Sequence, residues 1–195
     1  MNTRIVTHIV LLIVSICLVS CKNDEVKSAY NYYNLEQVGW KSRTVTNHYS
    51  NVYYKAALVP TAYYVLKSEG VEDTKRVDSI MASVNDERIF ELEISLNDRK
   101  EVFDASNIKM STNEAIKHLA FGIQEDLSIL LKNGKKIDCQ GVTFERNYHL
   151  APFKRILVHF SGVPENSELT LLYNDNLFEH GNMSFTFEET PIILN

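Results

Sequence analysis

Short strand-like segments, several of them apolar at every second residue, dominate the chain from residue 89 onward. In the clearest one, at 89–96, the alternating apolar residues are Phe90, Leu92, Ile94 and Leu96. Further segments that predict strands lie at 127–132, 142–148, 154–160, 169–173 and 183–187. A period of two gives a strand one buried and one solvated face, and many short strands in succession are typical of a sandwich or barrel.

Turn signals between these segments indicate antiparallel pairing. Asn133-Gly134 follows the segment at 127–132 and favours a hairpin, because both residue types tolerate positive φ. The segments 142–148 and 154–160 bracket Pro152, and we expect them to pair about a bend near Ala151. One face of that hairpin then collects Val142, Phe144, Tyr148, Ile156, Val158 and Phe160, and the other collects Thr143, Glu145, Asn147, Arg155 and His159.

Two patterns predict short helices. Between residues 73 and 84 the apolar residues at helical spacing are Val77, Ile80, Met81 and Val84. Ser111 and Glu114 form a capping-box pattern, which predicts that a helix begins there. We expect this helix to pass into a strand near Leu119, although residues 115–125, like 45–70, leave helix and strand as open alternatives.

These patterns together predict the fold class. It is mainly β, a β-rich α+β fold built as an antiparallel β-sandwich with one or two short helices. An immunoglobulin-like sandwich is one form of it, although no Cys, Trp, Cys framework supports that form. Residues 31–195 are long enough for a single β-rich globular domain with its own core.

The first residues have a different character. Residues 5–19 are an apolar run that follows Arg4 and is shorter than the roughly 20 residues a spanning helix needs. The run closes on Leu18-Val19-Ser20-Cys21, which resembles the lipobox of bacterial lipoproteins. The resemblance implies a cleaved signal at 1–20, lipid on Cys21, and a tether over 21–30. An ordinary secretory signal or a buried N-terminal helix is the alternative interpretation.

The resemblance also bears on localisation. Lys22 follows the cysteine. The inner-membrane retention signal of enteric lipoproteins has an Asp at that position, so the resemblance favours an outer-membrane location. Several acyl chains on Cys21 would hold the protein to that membrane far better than one, at about 0.8 kcal/mol per buried methylene. We expect a lipid-anchored protein on the periplasmic face or the cell surface. The short charged cluster behind the cysteine resembles a surface-export signal, and the start of a plain tether is the alternative.

The net charge and the number of cysteines limit the classes of function that the protein can have. The net charge of −5 and the pI of about 5.7 exclude the basic surface of a nucleic-acid binder. Cys17 lies in the expected signal and Cys21 carries lipid, so Cys139 is left without an intramolecular partner. We expect Cys139 to be a small buried core residue rather than a nucleophile.

The strong catalytic and cofactor motifs are missing. The seven glycines are never closer than seven positions, which excludes G-x-G-x-x-G, the P-loop and the G-x-S-x-G elbow. No H-E-x-x-H or C-x-x-C motif occurs either, so we expect no cofactor and no metal. The hairpin nevertheless places His159 near Thr143 and diagonal to Glu145, a candidate acid–base pair whose alternative is plain solvated surface. Further candidates are His149 and His180. His48 and His118 are weaker candidates, because fewer catalytic or metal-ligating residue types are expected near them.

Aromatic residues are concentrated before residue 65. Eight of the ten tyrosines and the one tryptophan fall between residues 30 and 64. Trp40 with Tyr30, Tyr32 and Tyr33 would suit a surface that stacks on a glycan. The alternative is that these rings pack half-buried on a sheet with wet hydroxyls.

The anchor and the missing motifs together favour a non-enzymatic module that binds an envelope protein or glycan, or helps to assemble a complex at the membrane. A hydrolase of envelope glycan or peptide, using Glu145 and His159, is the alternative. An immunity-type lipoprotein that neutralises a toxin is a third hypothesis.

Overall fold

The computed structural model describes residues 43–69, 74–104, 108–147, 150–164 and 167–188. These ranges contain nine strands, namely β1 Arg43–Tyr49, β2 Val52–Val59, β3 Arg88–Leu96, β4 Leu127–Leu131, β5 Lys136–Asp138, β6 Gly141–Glu145, β7 Phe153–Phe160, β8 Leu169–Asp175 and β9 Gly181–Phe187. They also contain three short helices, α1 Thr61–Glu69, α2 Thr74–Ser83 and α3 Thr112–Lys117. A π-helical turn, His118–Gly122, and a 3₁₀ turn, Ile123–Asp126, continue α3.

The strands form two antiparallel sheets, which confirms the predicted mainly-β, sandwich-like α+β fold. One sheet has the order β1-β2-β3-β7-β6 and the other the order β5-β4-β8-β9. The three consecutive strands β1, β2 and β3 lie side by side in one sheet. An immunoglobulin domain instead divides its first three strands between its two sheets.

Alternation along the strands builds the core between the sheets. In β3 the four predicted residues Phe90, Leu92, Ile94 and Leu96 are all buried. The rings of Phe90 and Phe187, one from each sheet, have centroids 5.4 Å apart. Each such side chain contributes about 1.5–3 kcal/mol through removal from water, so the core holds the two sheets together.

Pro60 separates a strand from a helix in the region that the sequence left open. β2 ends at Val59, and α1 begins directly after the proline, which lacks the N–H a further strand residue would donate. The predicted helix near 73–84 is confirmed as α2. The two helices share a small cluster of their own, formed by Ala62, Val65, Leu66 and Val77.

The helix predicted from the capping box is confirmed, but its expected end is wrong. Ser111 is the N-cap, and both reciprocal bonds with Glu114 are present. The chain then stays helical to Asp126, and the next strand begins at Leu127 rather than near Leu119. Leu119 and Ile123 are buried four residues apart, whereas Phe121 between them is 76% exposed. Their apparent alternation therefore follows a helical face and not a strand.

Cys139 confirms its predicted place in the core. The residue is 6% exposed, and its thiol donates to the carbonyl oxygens of Gly141 and His159 at 3.3 and 3.6 Å. Burial raises the pKa of the thiol, against the effect of those two bonds.

None of the helices in the described part of the chain has the length and apolar character that crossing a membrane requires.

Candidate functional site

An open groove of about 660 Å³ lies along α3 and the π-helical turn. Its lining residues are Lys109, Met110, Glu114, Lys117, His118, Phe121 and Gly122. Phe121 is 76% exposed, an unusual environment for a large aromatic ring. A bulge of π-helix within a helical segment is itself a common mark of a functional position.

His118 lies against the half-buried carboxylate of Asp126. Its Nε2 lies 2.9 Å from Asp126 Oδ2, and the two side chains are 19% and 10% exposed. The other oxygen of Asp126 accepts from Asn176 Nδ2 at 2.6 Å. Asn176 thus fixes the carboxylate, and His118 Nε2 and Asp126 Oδ2 are buried in close contact without forming a hydrogen bond.

The second ring nitrogen of His118 faces Gly122. A Cβ built on Gly122 would lie 2.8 Å from His118 Nδ1, closer than packed atoms approach. The backbone of Gly122 has φ −89° and ψ −34°, which any residue adopts. Space for the imidazole, rather than backbone conformation, therefore accounts for the glycine.

The charged side chains that line the groove differ in whether they form hydrogen bonds or ion pairs within the protein. Glu114 accepts from the Ser111 hydroxyl at 2.7 Å and from the Ser111 amide at 2.8 Å, and these bonds lower the pKa of the carboxyl. Lys109 pairs with Glu179. Lys117 makes no hydrogen bond or ion pair within the ranges described, so its ammonium is available to a ligand.

Behind the groove lies a buried polar centre around Asp175, which is 1% exposed. Its Oδ2 accepts from the Tyr54 hydroxyl at 2.7 Å, and its Oδ1 accepts from the Tyr173 hydroxyl at 3.1 Å. Three loop amides complete the set, those of Leu177 at 3.1 Å, Phe178 at 3.3 Å and His180 at 3.2 Å. Asp175 therefore shapes the β8–β9 loop and ties it to β2 of the other sheet.

Burial raises the pKa of both Tyr54 and Tyr173, and the charge of Asp175 raises it further. Both hydroxyls consequently remain protonated donors. His180 Nδ1 lies 2.8 Å from the Tyr54 oxygen. Because the one O–H of Tyr54 donates its hydrogen bond to Asp175, the Tyr54 oxygen is the acceptor toward His180. Asn176 follows Asp175 and donates to Asp126, so the polar centre and the groove are joined by one side chain.

The predicted pair Glu145 and His159 shares the outer face of the five-stranded sheet, but the two side chains are not neighbours. Thr143 pairs with Leu157, and His159 pairs with Gly141, so the expected diagonal placement of His159 is wrong. Three residue pairs lie between the Glu145–Arg155 pair and the Gly141–His159 pair, so Glu145 and His159 are about 13 Å apart along the strands. The structure does not bring this pair together.

Glu145 belongs instead to a row of alternating charges. Its Oε2 lies 3.7 Å from Arg155 Nη1, and Arg155 Nη2 donates to Glu93 Oε2 at 3.2 Å. Lys55 continues the row, 4.0 Å from Glu93. Burial opposes the charge of Arg155, but the carboxylates outweigh it and raise the pKa of the guanidinium.

Several predicted residues lie outside the described ranges. They are Cys21, Tyr30, Tyr32, Tyr33, Trp40 and His149. Of the remaining histidines, His180 joins the Asp175 centre, and His48 stacks on Tyr53 with centroids 4.3 Å apart. The described residues contain no group of three or more His, Cys, Asp or Glu side chains placed to hold a metal ion.

His118 is a candidate functional residue to which the sequence analysis gave little weight. Its partner Asp126 lies eight positions further along, beyond the three or four residues that bring side chains together on an α-helix. The π-helical and 3₁₀ turns close that distance. The capping box and Gly122 were the available sequence signals for the limits of this helix. Neither of them indicates that His118 contacts Asp126.

Comparison with known proteins yields one remote likeness. No protein-family model matches the chain, and no curated protein does. A solved structure of a protein of unknown function from Burkholderia pseudomallei is 8% identical, with a TM-score of 0.36, and the match covers 88% of this chain and 94% of the other. A likeness of that degree carries no argument about function.

Proposed function

We propose that the protein is an outer-membrane lipoprotein, anchored through lipid on Cys21 at the periplasmic face or the cell surface. Its folded part acts there as a non-enzymatic module that binds an envelope protein or glycan. The lipobox resemblance at residues 18–21 supports the anchor. The observation that carries the binding role is the exposed ring of Phe121 beside the oriented imidazole of His118.

A fixed polar group next to an exposed aromatic ring is the composition of a binding hot spot. Aromatic anchors at the centre of an interface contribute most of its binding free energy. His118 is packed between Asp126, 2.9 Å from its Nε2, and Gly122, so little conformational entropy is lost when it meets a ligand. Phe121, 76% exposed, gains by removal from water when a partner covers it.

The anchor is tested on the protein purified from its native envelope. Mass spectrometry of the first mature peptide should show a diacylglyceryl group on Cys21 and cleavage before it. A Cys21→Ser variant should fail to acquire this mass and should keep its leader. A bare thiol at Cys21 in the native protein would reject the anchor.

The binding role is tested by site-specific photocrosslinking in intact cells. A photoreactive amino acid at position 121 should give a discrete adduct with an envelope component. The matched control is position 186, an exposed site on the outer face of β9. Absence of an adduct at 121, or the same adducts from both positions, would count against the groove as the binding site.

A further inference from the structure

We propose that Lys154 and Asn147 join in an intramolecular isopeptide bond, with Glu101 as the group that carries the proton. The three side chains meet beside the turn of the β6–β7 hairpin, in the arrangement of the reactants. The product would be a covalent cross-link across that turn. The inference is independent of the anchor and of the groove, since none of these residues belongs to either.

Lys154 occupies a position that lysine rarely takes. It lies on the core side of β7, in the alternation of Ile156 and Val158, and it is buried. Lysine is almost never fully buried unless its charge is paired. A buried ion pair is in turn no more stabilising than apolar residues of similar volume. Stability alone therefore does not account for an amine at this position.

Asn147 presents its amide to that amine. Its Nδ2 donates to the backbone carbonyls of Ala151, at 3.3 Å, and Phe153, and its Oδ1 lies 3.2 Å from Lys154 Nζ. The carbon that the amine would attack is bonded directly to this Oδ1. Groups held in contact react as one molecule, and their effective molarities reach about 10⁵–10⁸ M. The fixed contact thus offsets the slowness of the same reaction in water.

Glu101 completes the reacting set. Its Oε1 lies 2.6 Å from Lys154 Nζ, within reach for general acid–base catalysis. The ring of Phe103 lies 4.7 Å from the same nitrogen, and it helps to exclude water that would compete with the amine. The bond forms once in each molecule. A brief transfer of the proton to Glu101 is therefore sufficient, and the resting pair can remain charged.

The step conserves atoms and charge. The Lys154 ammonium passes one proton to Glu101, and the neutral amine attacks Cγ of Asn147 to form a C–N bond. Nδ2 then takes a proton from the former amine, the Cγ–Nδ2 bond breaks, and ammonia leaves. The ammonia takes the proton of Glu101 and departs as an ammonium ion, which returns Glu101 to a carboxylate. Nothing is oxidised or reduced.

The test is tryptic mapping of the full lipoprotein, purified from its native envelope and unfolded before digestion. Trypsin cleaves after Arg146, Lys154 and Arg155 of an unlinked chain, but not after a lysine whose amine is acylated. We expect the peptide 147–155, lighter than its sequence by one ammonia and without fragment ions from cleavage between 147 and 154. Peptides of full sequence mass that contain Asn147 as the main product would overturn the proposal.

A second readout separates the cross-link from a succinimide at Asn147, which also releases ammonia. The succinimide leaves the amine of Lys154 free, whereas the cross-link consumes it. Reductive methylation of the unfolded protein should therefore modify Lys55 and leave Lys154 unmodified. A lighter peptide that carries a methylated Lys154 would reject the isopeptide bond.

Substitutions assign the roles. Glu101→Gln keeps the amine and the amide but cannot accept the proton, and Lys154→Arg keeps the positive charge without the amine. The loss of ammonia should disappear in both. Glu168→Gln is the matched control, because it removes a carboxylate that pairs with Lys132 at 2.8 Å on the surface, and it should keep the cross-link.

A cross-link that persists in Glu101→Gln would overturn the role of Glu101 and with it the proposed step. The peptide map of the parent protein decides on the bond itself, even where a variant fails to fold. A parent protein without the bond leaves the proposed binding function untouched, since that function is decided by the adduct at position 121.

Discussion

The hydroxyl of Tyr54 on β2 donates to Oδ2 of Asp175 at the end of β8, 2.7 Å away. Because the two residues belong to different sheets, this bond crosses the sandwich. The same carboxylate also receives the Tyr173 hydroxyl and three loop amides, and it is 1% exposed. One side chain therefore holds the two sheets and the β8–β9 loop together.

Replacing Asp175 by asparagine should be strongly destabilising. An amide nitrogen in place of one oxygen cannot accept from the donors that converge there, and a buried donor without an acceptor is costly. We expect Asp175→Asn to lower the free energy of unfolding by about 3 kcal/mol, measured by urea denaturation followed by circular dichroism. Ser184→Ala on the exposed face of β9 is the control, with a change below about 0.5 kcal/mol. An Asp175→Asn protein as stable as that control would contradict the role given to the carboxylate.

The same centre predicts a loss of stability at high pH. Tyrosines of the unfolded chain ionise near pH 10, whereas the folded protein keeps Tyr54 and Tyr173 protonated because their pKa values are raised. Their contribution is complete below about pH 10 and falls as the pH rises further, since only the unfolded chain then gains by losing these protons. Urea denaturation between pH 8 and pH 11 should show this decline. The Tyr54→Phe, Tyr173→Phe double variant should show a shallower one, and identical profiles would be evidence against raised pKa values.

A second buried charge lies on β7. The ammonium of Lys154, whose side chain is 4% exposed, lies 2.6 Å from Glu101 Oε1 and 4.7 Å from the centroid of the Phe103 ring. Glu101→Gln leaves that ammonium without its anionic partner and should lower the free energy of unfolding by about 3 kcal/mol. Adding Lys154→Met should recover most of the loss, because the charge is then gone. If the double variant is no more stable than Glu101→Gln alone, the ion pair is not the cause.

Cys139 should resist thiol reagents in the native protein. Its thiol is 6% exposed and burial raises its pKa, so little thiolate forms at pH 8. With the sulfur of Cys21 blocked by its thioether-linked diacylglyceryl group, Ellman's reagent should react with less than one thiol per molecule until urea unfolds the chain, and with one thereafter. Fast reaction of the native lipidated protein would place Cys139 at the surface instead.

How much the sequence could predict depends on how local the determining interaction is. Alternation in β3 identified Phe90, Leu92, Ile94 and Leu96 because burial of one face of a strand has a period of two. The faces of the β6–β7 hairpin were also correct for the residues that the structure describes. Its register was wrong by two residues, because His159 pairs with Gly141 and not with Thr143. Contacts near the turn that alternation does not encode, such as that from the Asn147 amide to the Ala151 carbonyl at 3.3 Å, contribute to the register.

The site depended on less local features. His118 meets Asp126 through a π-helical and a 3₁₀ turn, and either turn replaced by ordinary α-helix would rotate one residue away from the other. Asp175 gave no signal in the sequence, since its partners Tyr54 and His180 lie 121 positions before it and five after it. Such a centre is visible only once the two sheets are assembled.

The amide of Asn176 joins Asp126, beside His118, to the loop that Asp175 organises, so residues 50 positions apart in the chain are linked in the folded protein. A ligand that binds beside His118 only in this folded arrangement would raise the temperature at which the protein melts.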